Sequence, residues 1–142
     1  MQINLANTLL FRGMDPSDID EMLGCLLAKE CTYKKGEILF PEGSPTEQIG
    51  VVLIGRVIIE LGDVWGNNSV LSSIGPGGIF AETYACIPGE PLMVNVTAAE
   101  DTEALLLNIR RVLEPCSKVC PYHVRLVRNL LALCAGKNLQ LS

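Results

Sequence analysis

The sequence predicts a single, mainly β domain with helical segments at both ends. Its 142 residues match the length of one domain of about 150 residues, which can bury one sizeable core. Hydrophobic residues make up 49% and charged residues 19%, values typical of globular proteins that exclude wholesale disorder. Short β-branched runs broken by glycine and proline fill the middle of the chain, between two amphipathic segments.

Charge and composition exclude several classes of function. Eleven Lys and Arg residues against 16 Asp and Glu give a net charge of −5, which disfavours direct binding of nucleic acid by this chain. No apolar run approaches the ~18 residues of a membrane span, and residues 1–4 lack the start of an export signal. The six cysteines are scattered, without a Cys-x-x-Cys pair, as in a reducing compartment. We therefore expect a cytoplasmic protein that has no membrane contact.

The N-terminal segment, residues 1–30, contains one predicted helix over 15–29. Asp15 suits the position before the first turn, and Pro16 suits the first turn itself. Apolar residues then recur at spacings of three and four, at Ile19, Met22, Leu23, Leu26 and Leu27. This pattern indicates an amphipathic helix that packs one face on the core.

The middle segment, residues 31–108, predicts several short strands. Candidate strands are the apolar runs 38–40, 51–54, 57–59, 70–71, 94–96 and 104–107. Turn residues separate them, including Gly55, Gly62-Asp63 and the glycine-rich run 75–78. Strands at this regular spacing are typical of an antiparallel sandwich or barrel.

The C-terminal segment, residues 109–142, returns to a helical pattern, with Pro115 and Pro121 as predicted helix starts. Apolar positions alternate at spacings of four and three along Cys120, Val124, Val127, Leu131, Cys134, Asn138 and Leu141. Such a seam predicts a coiled-coil homodimer in which the polar Asn138 fixes the register. The predicted interface consists of Val124, Val127, Leu131, Cys134, Asn138 and Leu141.

A second apolar stripe on the same helix comprises Leu126, Leu130 and Leu133. Two stripes call for two packing partners, so one stripe is expected on the β-domain of the same chain and the other on a second copy. The alternative is a helix half-sunk in one monomeric core.

Three glycine-punctuated blocks carry a resemblance to a known family. They read YKKGEILFPEGSP at 33–45, VVLIGRV at 51–57 and GPGGIFAE at 75–82, and are preceded by LFRGM at 10–14. Together with the C-terminal seam, they resemble the effector domain of Crp/Fnr-type bacterial transcription regulators across nearly the whole chain.

The resemblance implies a double-stranded β-helix, a cupin-like β-roll or jelly roll, with N-terminal helices and a long C-terminal dimerisation helix. It also implies a cytoplasmic transcription regulator in which a helix-turn-helix domain follows that helix. The sequence ends at Ser142 before such a domain, so DNA contact is expected only through a domain outside this chain.

The ligand cassette of the family departs from its pattern here. In members that bind cyclic nucleotides, a Phe-Gly-Glu turn precedes a short helix that receives the phosphate, and an Arg-Ser pair neutralises its charge. This chain reads Phe80-Ala81-Glu82 at the turn, and Leu92 and Met93 replace the Arg-Ser pair. Loss of an arginine–phosphate contact, worth about 1.5–3 kcal/mol, weakens binding by about 10–100-fold. We predict that no physiological cyclic nucleotide binds.

The same substitutions predict an apolar pocket. Its candidate ligand-binding residues are Ile79, Phe80, Ala81, Glu82, Thr83, Tyr84, Cys86, Leu92 and Met93, with Val94 and Trp65 nearby. Such a pocket suits haem in a gas sensor, or a small apolar or aromatic effector, and Cys86 or Met93 is a candidate contact. The alternative is that Leu92 and Met93 fill a vestigial site. The chain would then be a ligand-free dimerisation or interaction module, or a thiol-based redox sensor.

The remaining chemistry-bearing residues are Cys116, Cys120 and His123, which have the spacing Cys-x3-Cys-x2-His. On one continuous helix they would share a face suited to a soft metal ion. The predicted helix start at Pro121 and the lack of a fourth donor favour structural burial instead, and a redox thiol pair is a further alternative. With one histidine and no nucleophile elbow or Walker loop, the sequence offers no catalytic residues, so we expect no enzyme.

Overall fold

The structure is a computed structural model that describes residues 5–114 and 121–141. Its helices are a 3-10 helix at Leu5–Asn7, α1 at Pro16–Cys25, α2 at Glu82–Ala85, α3 at Ile109–Leu113 and α4 at Pro121–Leu141. Its strands are β1 at Lys29–Tyr33, β2 at Ile38–Phe40, β3 at Gln48–Ile54, β4 at Val57–Gly62, β5 at Asn68–Ile74, β6 at Ile79–Phe80, β7 at Asn95–Ala98 and β8 at Thr102–Asn108. Among the described helices, none is both long and apolar enough to cross a bilayer.

The strands form two antiparallel sheets of four strands each. One sheet has the order β1-β8-β3-β6 and the other the order β2-β7-β4-β5. The predicted mainly β, jelly-roll-like fold is therefore confirmed. Each apolar run of the sequence overlaps one strand, whereas β1 and β6 were not predicted as strands. Most of β1 is exposed and β6 has two residues, so neither shows a hydrophobic period.

Two hydrophobic cores arise because successive residues of a strand point to opposite faces. In β8, Leu105 and Leu107 face the helices, while Leu106 faces the interior of the roll. The helix-side core consists of Leu10, Phe11, Met14, Ile19, Met22, Leu26, Ile49, Val51, Leu53, Ile79, Ala85, Leu105, Leu107, Ile109, Val112, Leu126 and Leu130. The roll-side core consists of Phe40, Val52, Val57, Phe80, Ala81, Leu92, Val96, Ala104 and Leu106.

Gly50 makes room for the aromatic ring that begins the ligand cassette. It lies opposite Phe80 in the β3–β6 pair, and a Cβ atom there would stand 2.0 Å from Phe80 Cζ. The Phe80 ring, fully buried, also packs at a tilt on Phe40 with 5.9 Å between ring centroids. These contacts fix where the chain leaves β6 and enters the cassette.

The first helix is shorter than predicted. It ends at Cys25, and Leu27 adopts a left-handed conformation with φ of +54°. Lys29 then begins β1, which pairs with β8 opposite Leu106. The prediction of helix over 26–29 is wrong because pairing with the central β8 strand outweighs the local helical pattern.

Helix α4, Pro121–Leu141, packs one stripe on its own domain. Residues 115–120, with the predicted helix start at Pro115, lie outside the described residues. Leu126 and Leu130 are buried in the helix-side core, and Leu133 packs against it. Asn129 reinforces the docking, since its side-chain amide donates hydrogen bonds to the carbonyls of Leu10 at 2.8 Å and Arg12 at 2.9 Å.

The predicted seam lies only partly on another face of α4, because Cys134 packs against the helix-side core of its own chain. Val124 and Leu131 are exposed, and Val127 and Cys134 are half-buried. The side chains of Asn138 and Leu141, and all of Cys120, lie outside the described residues. Dimerisation through this seam remains a prediction.

Candidate functional site

The candidate site is built on the cassette that links β6 to α2. Ala81 lies between them in a left-handed conformation with φ of +65°, which costs an L-residue other than glycine about 1–2 kcal/mol. The backbone N–H of Ala85 donates to the carbonyl of Ala81 at 3.0 Å, which closes the turn of α2. The turn is thus formed with an alanine at the left-handed position.

A cavity of about 240 Å³ opens beside this cassette. It is lined by Ile59, Leu71, Ser72, Ile74, Phe80, Ala81, Glu82, Thr83, Tyr84, Val94, Val96 and Lys137. Strands β4, β5 and β7 supply an aliphatic wall, the cassette supplies most of the polar groups, and α4 supplies one lysine. The C-terminal helix therefore contributes directly to the wall of the cavity.

An ion pair joins the cassette to α4 at the cavity. The ammonium of Lys137 donates a hydrogen bond to Glu82 Oε1 and another to the carbonyl oxygen of Ile79 at 3.2 Å. The Glu82 side chain is 5% exposed and the Lys137 side chain 43% exposed. A carboxylate this buried needs a cationic or hydrogen-bonding partner, and here the partner comes from another element of the fold.

The predicted ligand-binding residues do not all lie at the cavity. Those that line it are Phe80, Ala81, Glu82, Thr83, Tyr84 and Val94. Those placed elsewhere are Ile79 in the helix-side core, Cys86 packed against that core, Leu92 in the roll-side core, and the exposed Met93 and Trp65. The chamber is consequently less apolar than the sequence predicted, because it contains an ion pair.

Leu92 and Met93, which are predicted to replace the family's Arg-Ser pair, are not among the residues that line the cavity. Backbone hydrogen bonds hold Leu92 against the loop before β3, from Leu92 N–H to Ser44 O at 3.1 Å and from Gly43 N–H to Leu92 O at 2.7 Å. They place the Leu92 side chain inside the roll, where it fills space. Met93 points outward, and its N–H donates to the Tyr84 hydroxyl at 3.4 Å.

Trp65 lies at the tip of the β4–β5 hairpin, away from the cavity. The carboxylate of Asp63 accepts hydrogen bonds from the backbone N–H groups of Trp65 and Asn67, both at 2.9 Å. This tight turn leaves the indole in solvent.

Sequence reasoning missed half of the cavity lining: Ile59, Leu71, Ser72, Ile74, Val96 and Lys137. The strand period offers a signal for two of these residues, since Ile59 and Val96 are paired across β4 and β7. For Lys137 there is no signal, because the rotation of α4 on the β-roll depends on tertiary packing.

Two thiols lie close to the ion pair. Burial raises the pKa of the Cys86 thiol above its ordinary value, and the neighbouring Cys134 and Glu82 raise it further. Burial also raises the pKa of Cys134, with Glu82 acting in the same direction and Lys137 against it. A raised pKa lowers the thiolate fraction at neutral pH and hence the reactivity of both cysteines.

The metal candidates do not form a site in the part of the chain that the structure describes. His123 is buried, and its ring N–H donates to the carbonyl of Val112. Cys116 and Cys120 lie outside the described residues. Over 5–114 and 121–141, no cluster of three or more His, Cys, Asp or Glu side chains has the geometry to hold a metal ion.

Comparison with known proteins finds a matching family and several relatives of similar sequence. Residues 30–118 match the cyclic nucleotide-binding domain family. The sequence is 30% identical over 98 residues to the cyclic AMP receptor protein of Thermus thermophilus. The aligned region covers 69% of this chain and 44% of that protein. It is 26% identical over 104 residues to the CRP-like cAMP-activated global transcriptional regulator of Mycobacterium tuberculosis, covering 73% of this chain and 45% of the relative.

Among solved structures, the catabolite activator protein of Thermus thermophilus superimposes with a TM-score of 0.77 and 25% identity, covering 94% of this chain and 60% of that one. The chain spans less than half the length of the curated relatives that it matches in sequence.

Proposed function

The chain belongs to the cyclic nucleotide-binding domain family, and we propose that it is the effector-sensing domain of a Crp/Fnr-type transcription regulator whose effector is not a cyclic nucleotide. The observation that carries the proposal is the composition of the cavity. Its only charged side chains among the described residues are Glu82 and Lys137, which neutralise each other. A cyclic phosphate would enter a site whose one cation is already paired.

The arginines of the domain support the same conclusion. Arg56 stands outside the cavity, where its guanidinium donates to the Ser73 hydroxyl at 2.7 Å. Arg128 is exposed on α4. Neither supplies the bidentate contact that an anionic phosphate needs in a half-buried site.

A small effector with an apolar body fits better than haem. The cavity of about 240 Å³ lies below the 300–1,000 Å³ typical of sites for drug-sized ligands. Among the residues that the structure describes, the lining has no His, Cys or Met side chain that would ligate a haem iron, although Tyr84 offers a hydroxyl. The aliphatic wall of Ile59, Leu71, Ile74, Val94 and Val96 suits a compact aliphatic or aromatic group.

The output follows from the position of Lys137. An effector that changes the Glu82–Lys137 contact changes how α4 sits on the β-roll, and α4 is the proposed dimer helix. In the full-length regulator, we expect a cytoplasmic homodimer that contacts DNA through a separate domain and has no enzymatic activity.

A titration followed by NMR tests the effector proposal. We expect small apolar or aromatic compounds to shift the backbone resonances of Ile59, Tyr84 and Val96, and we expect no saturable binding of cAMP or cGMP. Leu71→Ala and Val70→Ala are matched variants, since their side chains are 57% and 58% exposed on the same strand and only Leu71 lines the cavity. Binding that weakens in Leu71→Ala alone supports the site. Cyclic nucleotide binding at low micromolar affinity would overturn the proposal.

Sedimentation equilibrium tests the dimer. We expect a dimer that dissociates in Leu131→Glu, because a charge at an exposed seam position opposes packing of two copies. Arg128→Glu, on an exposed position outside the seam, is the control. A wild-type monomer at high micromolar concentration contradicts the seam.

A second candidate function is a dimerisation module with a vestigial pocket. The observation that favours it is the burial of Leu92 inside the roll, which reduces the space that a nucleotide would occupy. The NMR titration separates the two candidates, because a vestigial pocket gives no saturable shifts with any compound.

A further inference from the structure

The cavity pairs an apolar wall with a polar end of a specific kind. Glu82 and Lys137 bring one negative and one positive group into direct contact there, so the polar end has no net charge but a strong local dipole. A ligand that complements this end carries one positive and one negative group close together.

Both groups keep hydrogen-bonding capacity for a ligand. The Lys137 ammonium has three N–H donors, of which Glu82 Oε1 and the Ile79 carbonyl use two. The hydrogen bond described for the Glu82 side chain uses one carboxylate oxygen. An ionised carboxylate offers about four acceptor sites, so Glu82 keeps acceptor capacity beyond its hydrogen bond from Lys137.

A ligand of a single charge fits less well. An anion that took the third donor of Lys137 would stand beside the Glu82 carboxylate, and one that drew Lys137 away would leave a buried carboxylate unpaired. A cation bound at Glu82 would face the ammonium of Lys137 at close range. A zwitterion avoids both conflicts, because its ammonium meets Glu82 and its carboxylate meets Lys137.

From this geometry we infer that the effector is a small zwitterion with an apolar body, of the chemical class of an aliphatic or aromatic α-amino acid. Its ammonium and carboxylate are bonded to the same α-carbon, so together they can reach the contacting Glu82 and Lys137 side chains. Its side chain lies along Ile59, Val94 and Val96, and a cavity of about 240 Å³ suits a molecule of this size. The inference rests on the proposed function, since it names the ligand of the same cavity.

Binding of such a zwitterion links two elements of the fold. Glu82 belongs to the cassette helix α2 and Lys137 to α4, so the ligand bridges them through its two charges. We therefore expect the bound state to hold α4 against the cassette more firmly than the ion pair does alone.

Four probes with one phenylethyl body test the inference by calorimetry on the full chain. They are L-phenylalanine, 3-phenylpropionate without the ammonium, 2-phenylethylamine without the carboxylate, and the uncharged 2-phenylethanol. We expect L-phenylalanine to bind at least about ten-fold more tightly than each of the others, since each lacks a charge-assisted contact. A 3-phenylpropionate or 2-phenylethylamine affinity equal to or above that of L-phenylalanine overturns the inference.

Variants assign each charge to its partner. In Lys137→Met we expect the preference for L-phenylalanine over 2-phenylethylamine to disappear. In Glu82→Gln we expect the preference for L-phenylalanine over 3-phenylpropionate to disappear. Lys137→Arg keeps the charge and should keep the preference, which guards against loss of fold, and Arg110→Met at an exposed ion pair is the control. Preferences unchanged in both Lys137→Met and Glu82→Gln contradict the inference.

The outcomes also separate this inference from the proposed function. If all four probes bind equally and shift cavity resonances, the sensor cavity stands and the zwitterion inference falls. If no probe binds, the zwitterion inference falls. If the wider set of apolar compounds fails as well, the proposed function falls with it.

Discussion

The helix-side core and the roll-side core use alternate residues of the same three strands, β3, β6 and β8, but they are closed to different degrees. Residues of α1, α3 and α4 cover the helix-side core. The roll-side core instead adjoins a cavity that contains the Glu82–Lys137 pair. The difference indicates that the helix-side core supplies stability, while incomplete packing of the roll leaves room for binding.

The largest expected effect is the loss of stability caused by a substitution in the helix-side core. Leu107 is fully buried in β8, so Leu107→Ala should lower the free energy of unfolding by about 2–5 kcal/mol, through lost burial and a residual cavity. Ligand affinity of the protein that remains folded should not change. Urea denaturation measures the first effect and calorimetry the second. A stability loss in Leu71→Ala as large as that in Leu107→Ala contradicts the comparison.

The next effect concerns the buried ion pair. Lys137→Met leaves the Glu82 carboxylate buried without its partner, and should lower the free energy of unfolding by about 1–3 kcal/mol, less than for a fully buried pair because Lys137 is half-exposed. Adding Glu82→Gln to this variant should recover part of the loss, which a double-mutant cycle measures. Additive effects of the two substitutions would show that the pair contributes no coupling.

An exposed ion pair gives the matched contrast. Arg110 and Glu47 are 2.8 Å apart, but their side chains are 70% and 56% exposed. Solvent screens this pair, so Arg110→Met should change the free energy of unfolding by less than about 0.5 kcal/mol. Thermal denaturation of Arg110→Met and Lys137→Met side by side checks the ranking, and a reversed ranking contradicts it.

A smaller effect depends on pH. Burial beside the roll-side core, with Cys31 and Glu37 nearby, raises the pKa of Tyr33 to about 12 from 10.0. The folded state therefore binds the phenolic proton more tightly, so its stabilisation is present below pH 10 and is lost as the pH rises towards 12. Tyr33→Phe should flatten the alkaline fall in stability. An unchanged slope in urea denaturation over that window contradicts this assignment.

The smallest effect is kinetic and concerns the thiols. Because burial raises the pKa of Cys86 and Cys134, alkylation of both by iodoacetamide should require a higher pH in the folded chain than in urea. Mass spectrometry of digested peptides at several pH values gives the two profiles. Fast alkylation of folded Cys86 at neutral pH would revive the thiol-sensor alternative.

Local sequence patterns predicted most of the strands but not which side chains line the cavity. Apolar runs such as 51–54 and 104–107 identified the central strands, because buried strands carry a strong hydrophobic signal. The same reasoning placed Glu82 in the site through the cassette resemblance. Sequence reasoning left open whether Leu92 lines the pocket or fills it, since the face to which a loop residue turns depends on backbone contacts with Gly43 and Ser44.

The other errors have the same origin. Residues 26–29 carry a helical pattern, but 29 onwards pairs with β8 in the folded chain. Lys137 reads as one lysine on a helical surface, and only the docking of α4 brings it to Glu82. Interactions between elements distant in sequence thus decided what sequence reasoning missed.

The most direct measurement is a competition titration of the full chain with cAMP, followed by NMR at the resonances of Glu82, Tyr84 and Lys137. We expect L-phenylalanine to shift these resonances saturably. We expect cAMP at up to about 1 mM neither to shift these resonances nor to displace L-phenylalanine. Stoichiometric cAMP binding at low micromolar affinity, with displacement of L-phenylalanine, would contradict the assignment of this cavity to an effector other than a cyclic nucleotide.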